Sequence, residues 1–295
     1  MYRTFVILRH TFREALVQPI YWLLIVLGLA ILGVFAYLPF FTLSDDTVMF
    51  KDVGLDVVLL LTLISTLFAT SRSIFDEIED RTMLTLMSKP LSRWQVLLGK
   101  YLGIIVAALL AVAILGGMLE LCTYLRIPRD YLINPDSLDD RDVRRLAGLR
   151  WMHLAGLLPS LVLVWLQIGV LASVGVALST RLSLVVNLPL VILLYMAGNL
   201  TRFLPQDPDQ PLVTKVLTNV AATVLPYLEL FDMKGRAIYG HLAIGQFSLE
   251  PGAMSLSQIW LYVLAAAGYA AAYVFFALVA GMCLFRGREL GGAEG

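Results

Sequence analysis

Four carboxylates, Asp76, Glu77, Glu79 and Asp80, stand almost side by side, and Arg81, Lys89, Arg93 and Lys100 follow them in the next two dozen residues. Glu77 and Glu79 are expected to steady this stretch by pairing with nearby cations such as Arg81 or Arg93. A reaction centre would need more. The sequence has no G-x-x-x-x-G-K-[ST] phosphate loop, no H-E-x-x-H pair and no G-x-S-x-G elbow. The two cysteines, Cys122 and Cys283, are too few for a disulfide framework and lack metal-ligand spacing, and His10, His153 and His241 lie far apart. No catalytic and no metal-binding residue is assigned. Work done by this chain must draw on a partner, an ion gradient or the gradient of a substrate.

The elements that hold this block are apolar. The chain of 295 residues is 59% hydrophobic and 15% charged, with a mean hydropathy of +0.81, outside the range of water-soluble proteins of this size. Six apolar runs, about 20–41, 53–75, 96–121, 154–179, 184–204 and 259–285, are long enough to cross hydrocarbon, where an unpaired backbone amide finds no water and only a helix satisfies itself. The expected fold is an all-α membrane protein, one transmembrane domain over 1–295. It has six transmembrane helices, an N-terminal interfacial helix and a short cytoplasmic helix between spans 2 and 3. Net charge zero and a pI near 6.8 give no sign of nucleic-acid binding.

Residues 1–19 read as a helix lying in the membrane interface. Phe5, Leu8, Phe12, Ala15 and Leu16 share one side, with Arg3, His10 and Glu14 opposite and Arg9 and Arg13 flanking. A secretory signal fits less well, because the following apolar run is too long and lacks a small-x-small cleavage site, so the first span is expected to persist. Lys and Arg divide evenly between the two sides for either orientation, but they are denser on the shorter N-terminal side, whereas acidic residues concentrate on the other. We therefore expect both termini in the cytoplasm and a multi-pass protein of the inner membrane. Segments 122–153 and 205–258 are then external. The first holds Arg126, Arg129, Arg144, Arg145 and Arg150 among several Asp residues and reads as a small outer helix with paired charges.

Within the charged block the punctuation is explicit. Thr82–Ser88 is compatible with a short helix carrying Met83, Leu86 and Met87 on one side, and Lys89-Pro90 stops it. Ser92 and Gln95 form a capping box, with Leu91 and Val96 at the positions of a hydrophobic staple. The result is a two-helix corner at the membrane surface, suited to passing a push into the spans. A plain solvated turn is the simpler reading of charges between spans.

The run EIEDRTMLTLMSKPLSRWQVLLGKYLG, from Glu77 to Gly103, resembles the corresponding stretch of type-2 ABC transporter permeases. It is most similar to the branch with the nitrous oxide reductase maturation and gliding-motility permeases. One departure is Arg81, where many members have Gly. The resemblance implies a permease subunit, an exporter, driven by a separate P-loop ATPase that docks on the cytoplasmic 72–100 region. It further implies a coupling helix over roughly Asp80–Lys89, so that Glu77, Glu79, Asp80, Arg81, Thr82, Met83, Leu86, Met87, Lys89 and Arg93 form the coupling surface. ATP and Mg would be held by the partner, with no cofactor in this chain. A homodimer, or a heterodimer with a similar permease, is implied as well. A membrane anchor or scaffold without transport is the alternative, and an intramembrane enzyme is disfavoured.

Polar residues inside the spans are costly and mark either a pathway or helix packing. Glu120, Gln167 and Asn187 are the candidates, with Asn199 near the end of the fifth span and Pro189 suggesting a bend. Gly99/Gly103 and Gly169/Ser173 have the spacing for close helix approach, to a neighbour in this subunit or another. In the last external stretch Leu212–Leu225 reads as an interfacial helix. Pro226–Asp232 reads as a cap, a gate or a docking face for a periplasmic partner. Membrane lipid surrounds the rest.

Overall fold

The computed structural model describes residues 2–38, 46–79, 92–130, 140–200, 225–232 and 256–286. Every regular element among them is helical. We label the helices α1 (Tyr2–Val17), α2 (Pro19–Tyr37), α3 (Asp46–Ser71), α4 (Arg93–Asp130), α5 (Asp140–Ser179), α6 (Leu184–Leu200) and α7 (Leu256–Arg286). A π turn, Arg72–Asp76, and a last helical turn, Glu77–Glu79, prolong α3. A single 3-10 turn, Leu228–Phe231, is described between α6 and α7.

Among the described residues five helices are long and apolar enough to cross a membrane, and α6, at 17 residues, is a shorter apolar helix. The central layer is α3, α4 and α5, in whose apolar cores 61%, 56% and 72% of residues are buried. The corresponding shares for α2 and α7 are 28% and 22%, so these two lie at the edges with broad apolar faces outward. One cluster of buried side chains runs through α1 to α4, around Tyr21, Leu32, Phe50, Ile104 and Leu115. A second joins α5, α6 and α7 to Leu228 and Phe231.

The spans run longer than the apolar runs that announce them. α3 begins at Asp46 rather than 53, α4 continues to Asp130, and α5 starts at Asp140. Residues 122–130 and 140–153 are therefore continuations of α4 and α5, not a separate outer helix. Sequence reasoning ends a span at its first charge, but here distant partners accept those charges. The Lys51 ammonium, 1% exposed, donates to Nδ1 of His153 at 2.8 Å. Arg126 Nη1 donates to the carbonyls of Phe35 (3.1 Å) and Leu38 (3.2 Å), closing the C-terminal end of α2, and its guanidinium lies 5.5 Å from the Phe50 ring. Arg150 stacks 3.8 Å from the Tyr124 ring centre.

α1 joins α2 through one extended residue, Gln18 (φ −67°, ψ 124°), and Pro19 opens α2 where its missing N–H costs nothing. α1 packs across the start of α4. Gly99 faces Ile7 and the Thr4 carbonyl, and a Cβ on Gly103 would sit 2.7 Å from the Leu8 oxygen and 2.8 Å from Cβ of Thr11. The neighbour of this small-residue face is thus in the same subunit. The second such face is also internal, since Tyr101 Oη of α4 donates to the Gly169 carbonyl at 3.2 Å. Two details of the expected amphipathic wheel change. Phe5 is 60% exposed, on the side of its turn away from the Thr4 and Ile7 contacts with Gly99, and Glu14 is half-buried against protein instead of facing outward.

Gly103→Ala should therefore destabilise the fold by about 1–3 kcal/mol through overpacking. Gly117→Ala, whose added methyl meets nothing within 4 Å, should be neutral or gain from helix propensity. Unfolding midpoints of the two variants in detergent check this. Equal effects would show that α1 is not seated on Gly103.

Candidate functional site

The charged corner is built where α3 ends and α4 begins. At the start of α4, the Gln95 amide donates to Ser92 Oγ and the Ser92 amide donates to Gln95 Oε1, each at 3.3 Å. This is the expected capping box, and it satisfies two amides that the first helical turn leaves open. Val96 is buried as the staple requires, while Leu91 lies outside the described residues. One turn of chain fixed this way sets the direction in which Arg93 and Lys100 leave the helix.

Arg93 reaches the end of α7. Its Nη1 donates to the Phe285 carbonyl at 3.1 Å, and the guanidinium lies 5.3 Å from the Phe285 ring centre. Two turns further along, Lys100 points into the protein. Its Nζ donates to the Ser73 carbonyl, to Ser73 Oγ at 3.1 Å and to Glu77 Oε1 at 2.8 Å. The side chains are 3% and 18% exposed, so water contributes little to the ammonium, and three oxygens from the tail of α3 replace it. The π turn holds Ser73, the residue that supplies two of those oxygens. Turns of this type are rare and concentrate at functional sites.

α1 adds the third wall. Glu14 hydrogen-bonds the Ser73 side chain, is attracted by Lys100 and repelled by Glu77. Burial is the largest influence and holds its carboxyl above the usual carboxylate range. Glu14 Oε2 finds no hydrogen-bond donor among the described residues. One lysine therefore ties three elements: α1 through Glu14, the α3 tail through Ser73 and Glu77, and α4 through its own backbone.

Of the residues expected to form the coupling surface, Glu77 and Arg93 are thus placed, at different partners, and Glu79 is exposed on the last described turn before the gap. Asp80, Arg81, Thr82, Met83, Leu86, Met87 and Lys89 lie outside the described residues. Sequence reasoning did not single out Lys100 or Glu14. The available signal was a lysine deep in an apolar run, which is costly unless paired.

The three candidates within the spans do not converge. Asn187 is fully buried and its Nδ2 donates to the Gly175 carbonyl (3.2 Å) and Ser179 Oγ (2.7 Å), binding α6 to α5. Glu120, on α4, is half-buried, and its Oε1 has no hydrogen-bond partner among the described residues. Gln167 lines a polar cavity of about 40 Å³ with Asp56, Ser160, Asn199 and Asp232. The 3-10 turn sits beside this cavity. Leu228 packs on Gly198, Tyr262 Oη donates to the Leu230 carbonyl at 2.7 Å, and the Tyr227 amide donates to Tyr269 Oη at 2.9 Å. That packing fits a cap over α5, α6 and α7.

Removing one partner of a buried ion pair strands the other charge. Lys100→Met should cost about 3–5 kcal/mol, and the double variant Lys100→Met/Glu77→Leu should recover part of that loss. Unfolding in detergent measures both, and strictly additive losses would dissolve the pair. Glu14 supplies a pH test. Its carboxyl is raised above the ordinary 4.5 in the folded protein, so the folded state binds the proton more tightly than the unfolded chain. Its contribution is fully present below pH 4.5 and is lost as pH rises through the folded value. The melting midpoint of wild type should fall across that window, and Glu14→Gln should flatten the fall.

No curated protein matches this sequence. A family model described as ABC-2 family transporter protein matches residues 5–290. With nearly the whole chain inside that match, from α1 to the tail beyond α7, the protein belongs to the ABC-2 transporter family, as a membrane permease component that works with an ATP-binding cassette ATPase.

Proposed function

We propose that this chain is one permease of a dimeric ABC exporter in the cytoplasmic membrane, with six spans and both termini in the cytoplasm. Its ATPase is a separate P-loop subunit, which holds ATP and Mg and docks on the 72–100 region. A short coupling helix over roughly Asp80–Lys89 enters that subunit, with Met83, Leu86 and Met87 as its apolar contact. Within the family, the run from Glu77 to Gly103 supports a place in a branch resembling the nitrous oxide reductase maturation and gliding-motility permeases.

The observation that carries this reading is the buried bridge from Lys100 to Glu77 and Ser73. These residues flank the 80–91 segment on either side. A force applied to that segment cannot part the α3 tail from the start of α4 without stranding a charge, so it moves both helices, and α1 through Glu14, as one body. Arg93 carries the same displacement to the end of α7. α6 is the fifth span in chain order, and at 17 residues it reaches about 26 Å at ~1.5 Å per residue, close to the hydrocarbon thickness of ~30 Å. The outward apolar faces of α2 and α7 leave room for lipid and for a second permease, and the polar cavity at Gln167 is a candidate station on the pathway between them. The 3-10 cap is the external face that a periplasmic partner would meet.

Tagged protein drawn from native membranes in mild detergent should bring with it a nucleotide-binding ATPase. A variant with Met83, Leu86 and Met87 changed to Asp should lose that partner while keeping its own melting midpoint. Recovery of the ATPase with both forms would move the docking surface elsewhere. An ATPase that binds but is never stimulated by the reconstituted permease would favour a scaffold.

A further inference from the structure

A cavity opens beside the corner, where the last turn of α1, the α1–α2 joint and the π turn meet. Its volume is about 400 Å³, and its lining includes His10, Arg13, Glu14, Gln18, Pro19 and Arg72. Arg13 and Arg72 are exposed at its rim and form no ion pair with a described residue. The one carboxylate present, Glu14, is drawn toward Lys100 and Ser73. Cationic groups therefore dominate the opening.

Gln18 provides the independent observation. The residue is 6% exposed, lines the cavity, and its Nε2 has no hydrogen-bond partner among the described residues. A buried amide donor without an acceptor is a standing cost to the fold, and an oxygen-rich anion in the cavity would remove it. Gln18 is also the residue before an apolar helix of 19 residues, so the cavity lies beside the positive end of that helix. This is the depth at which lipid phosphates lie, one step outside the first span. Trp22, Leu23 and Val26 follow on one exposed face of α2, at 46%, 59% and 61% exposure, a surface on which acyl chains can lie. Trp22 Nε1 donates to the Leu16 carbonyl at 2.8 Å, so the aromatic ring is fixed against the last turn of α1, and tryptophans of this kind favour the membrane interface.

We propose that this cleft is a phosphoryl-binding site for a resident anionic lipid, whose phosphate oxygens accept hydrogen bonds from Arg13, Arg72 and the Gln18 amide. Forked guanidinium donors match phosphate oxygens in pairs. The site is independent of the coupling reading, since it requires no ATPase.

The test uses the full-length protein, delipidated in detergent and titrated separately with dioctanoyl-phosphatidylglycerol, dioctanoylglycerol and inorganic phosphate while the melting midpoint is followed. Phosphatidylglycerol should raise the midpoint saturably, and dioctanoylglycerol, which has the same chains and no phosphate, should not. The double variant Arg13→Gln/Arg72→Gln should keep the unliganded midpoint and lose at least about tenfold in apparent affinity, as expected for removing charge-assisted bonds. Arg13→Lys/Arg72→Lys should retain part of it. A saturable shift with inorganic phosphate of the same size, lost in the same variant, would support the phosphoryl site and identify a free anion as its occupant. An equal shift with dioctanoylglycerol, or a phosphatidylglycerol shift unchanged in the double glutamine variant, would overturn the proposal. So would the absence of any shift in wild type.

Discussion

An ammonium group inside an apolar bundle has to be given oxygens, and the arrangement around Lys100 follows from that requirement. Ser73 and Glu77 can meet it only if α3 continues past its apolar run and turns its tail toward α4. α4 can present the lysine there only if its start is fixed, which the Ser92–Gln95 box does. α1 can lie close enough to bring in Glu14 only because Gly99 and Gly103 have no side chains to hold it away. Three local features, far apart in sequence, are thus conditions for a single charge to be buried. The opposite end of α3 repeats the solution with Lys51 and His153, so the central helix is anchored near both ends by satisfied cations.

What could be read from the sequence was what short-range chemistry determines. The capping box is a pattern of two residues three apart, and it appears in the structure with both bonds. Close approach at Gly99/Gly103 was legible from spacing, but its partner was not, because nothing near Gly103 identifies a helix some ninety residues earlier. For Asn187 the expected hydrogen bond between helices was a local matter too, its acceptors lying only 8 and 12 residues back in the chain. The helices run past the expected bounds because the groups that accept Lys51 and Arg126 come from residues 102 and 91 positions away. A charge looks like the end of a span until its partner is known. Lys100 escaped attention for the same reason, and the family resemblance pointed past it to the 80–89 segment, which lies outside the described residues.

The division of labour across the bundle follows from burial. α3, α4 and α5 are enclosed and carry the buried polar contacts, whereas α2 and α7 offer mostly apolar surface to whatever surrounds them. Each edge helix is nevertheless held at a terminus by an arginine of α4, Arg126 at the end of α2 and Arg93 at the end of α7. Both bonds go to backbone carbonyls that the last turn of a helix leaves open. α4 therefore sets the position of both edges, and a displacement of α4 along its axis would be felt on the two faces of the subunit at once.

The π turn has a further geometric effect. It takes in one more residue than the α turn it replaces, and each residue of an α-helix advances the side-chain direction by about 100°. Residues 77–79 consequently leave α3 out of phase with its first seven turns. In an unbroken helix of the same sequence, Glu77 would point to a different side of the bundle, away from Lys100. The surplus residue acts as a phase shifter between the membrane-embedded and surface parts of one helix, and a homologue one residue shorter at this point would have to bury a different charge or none.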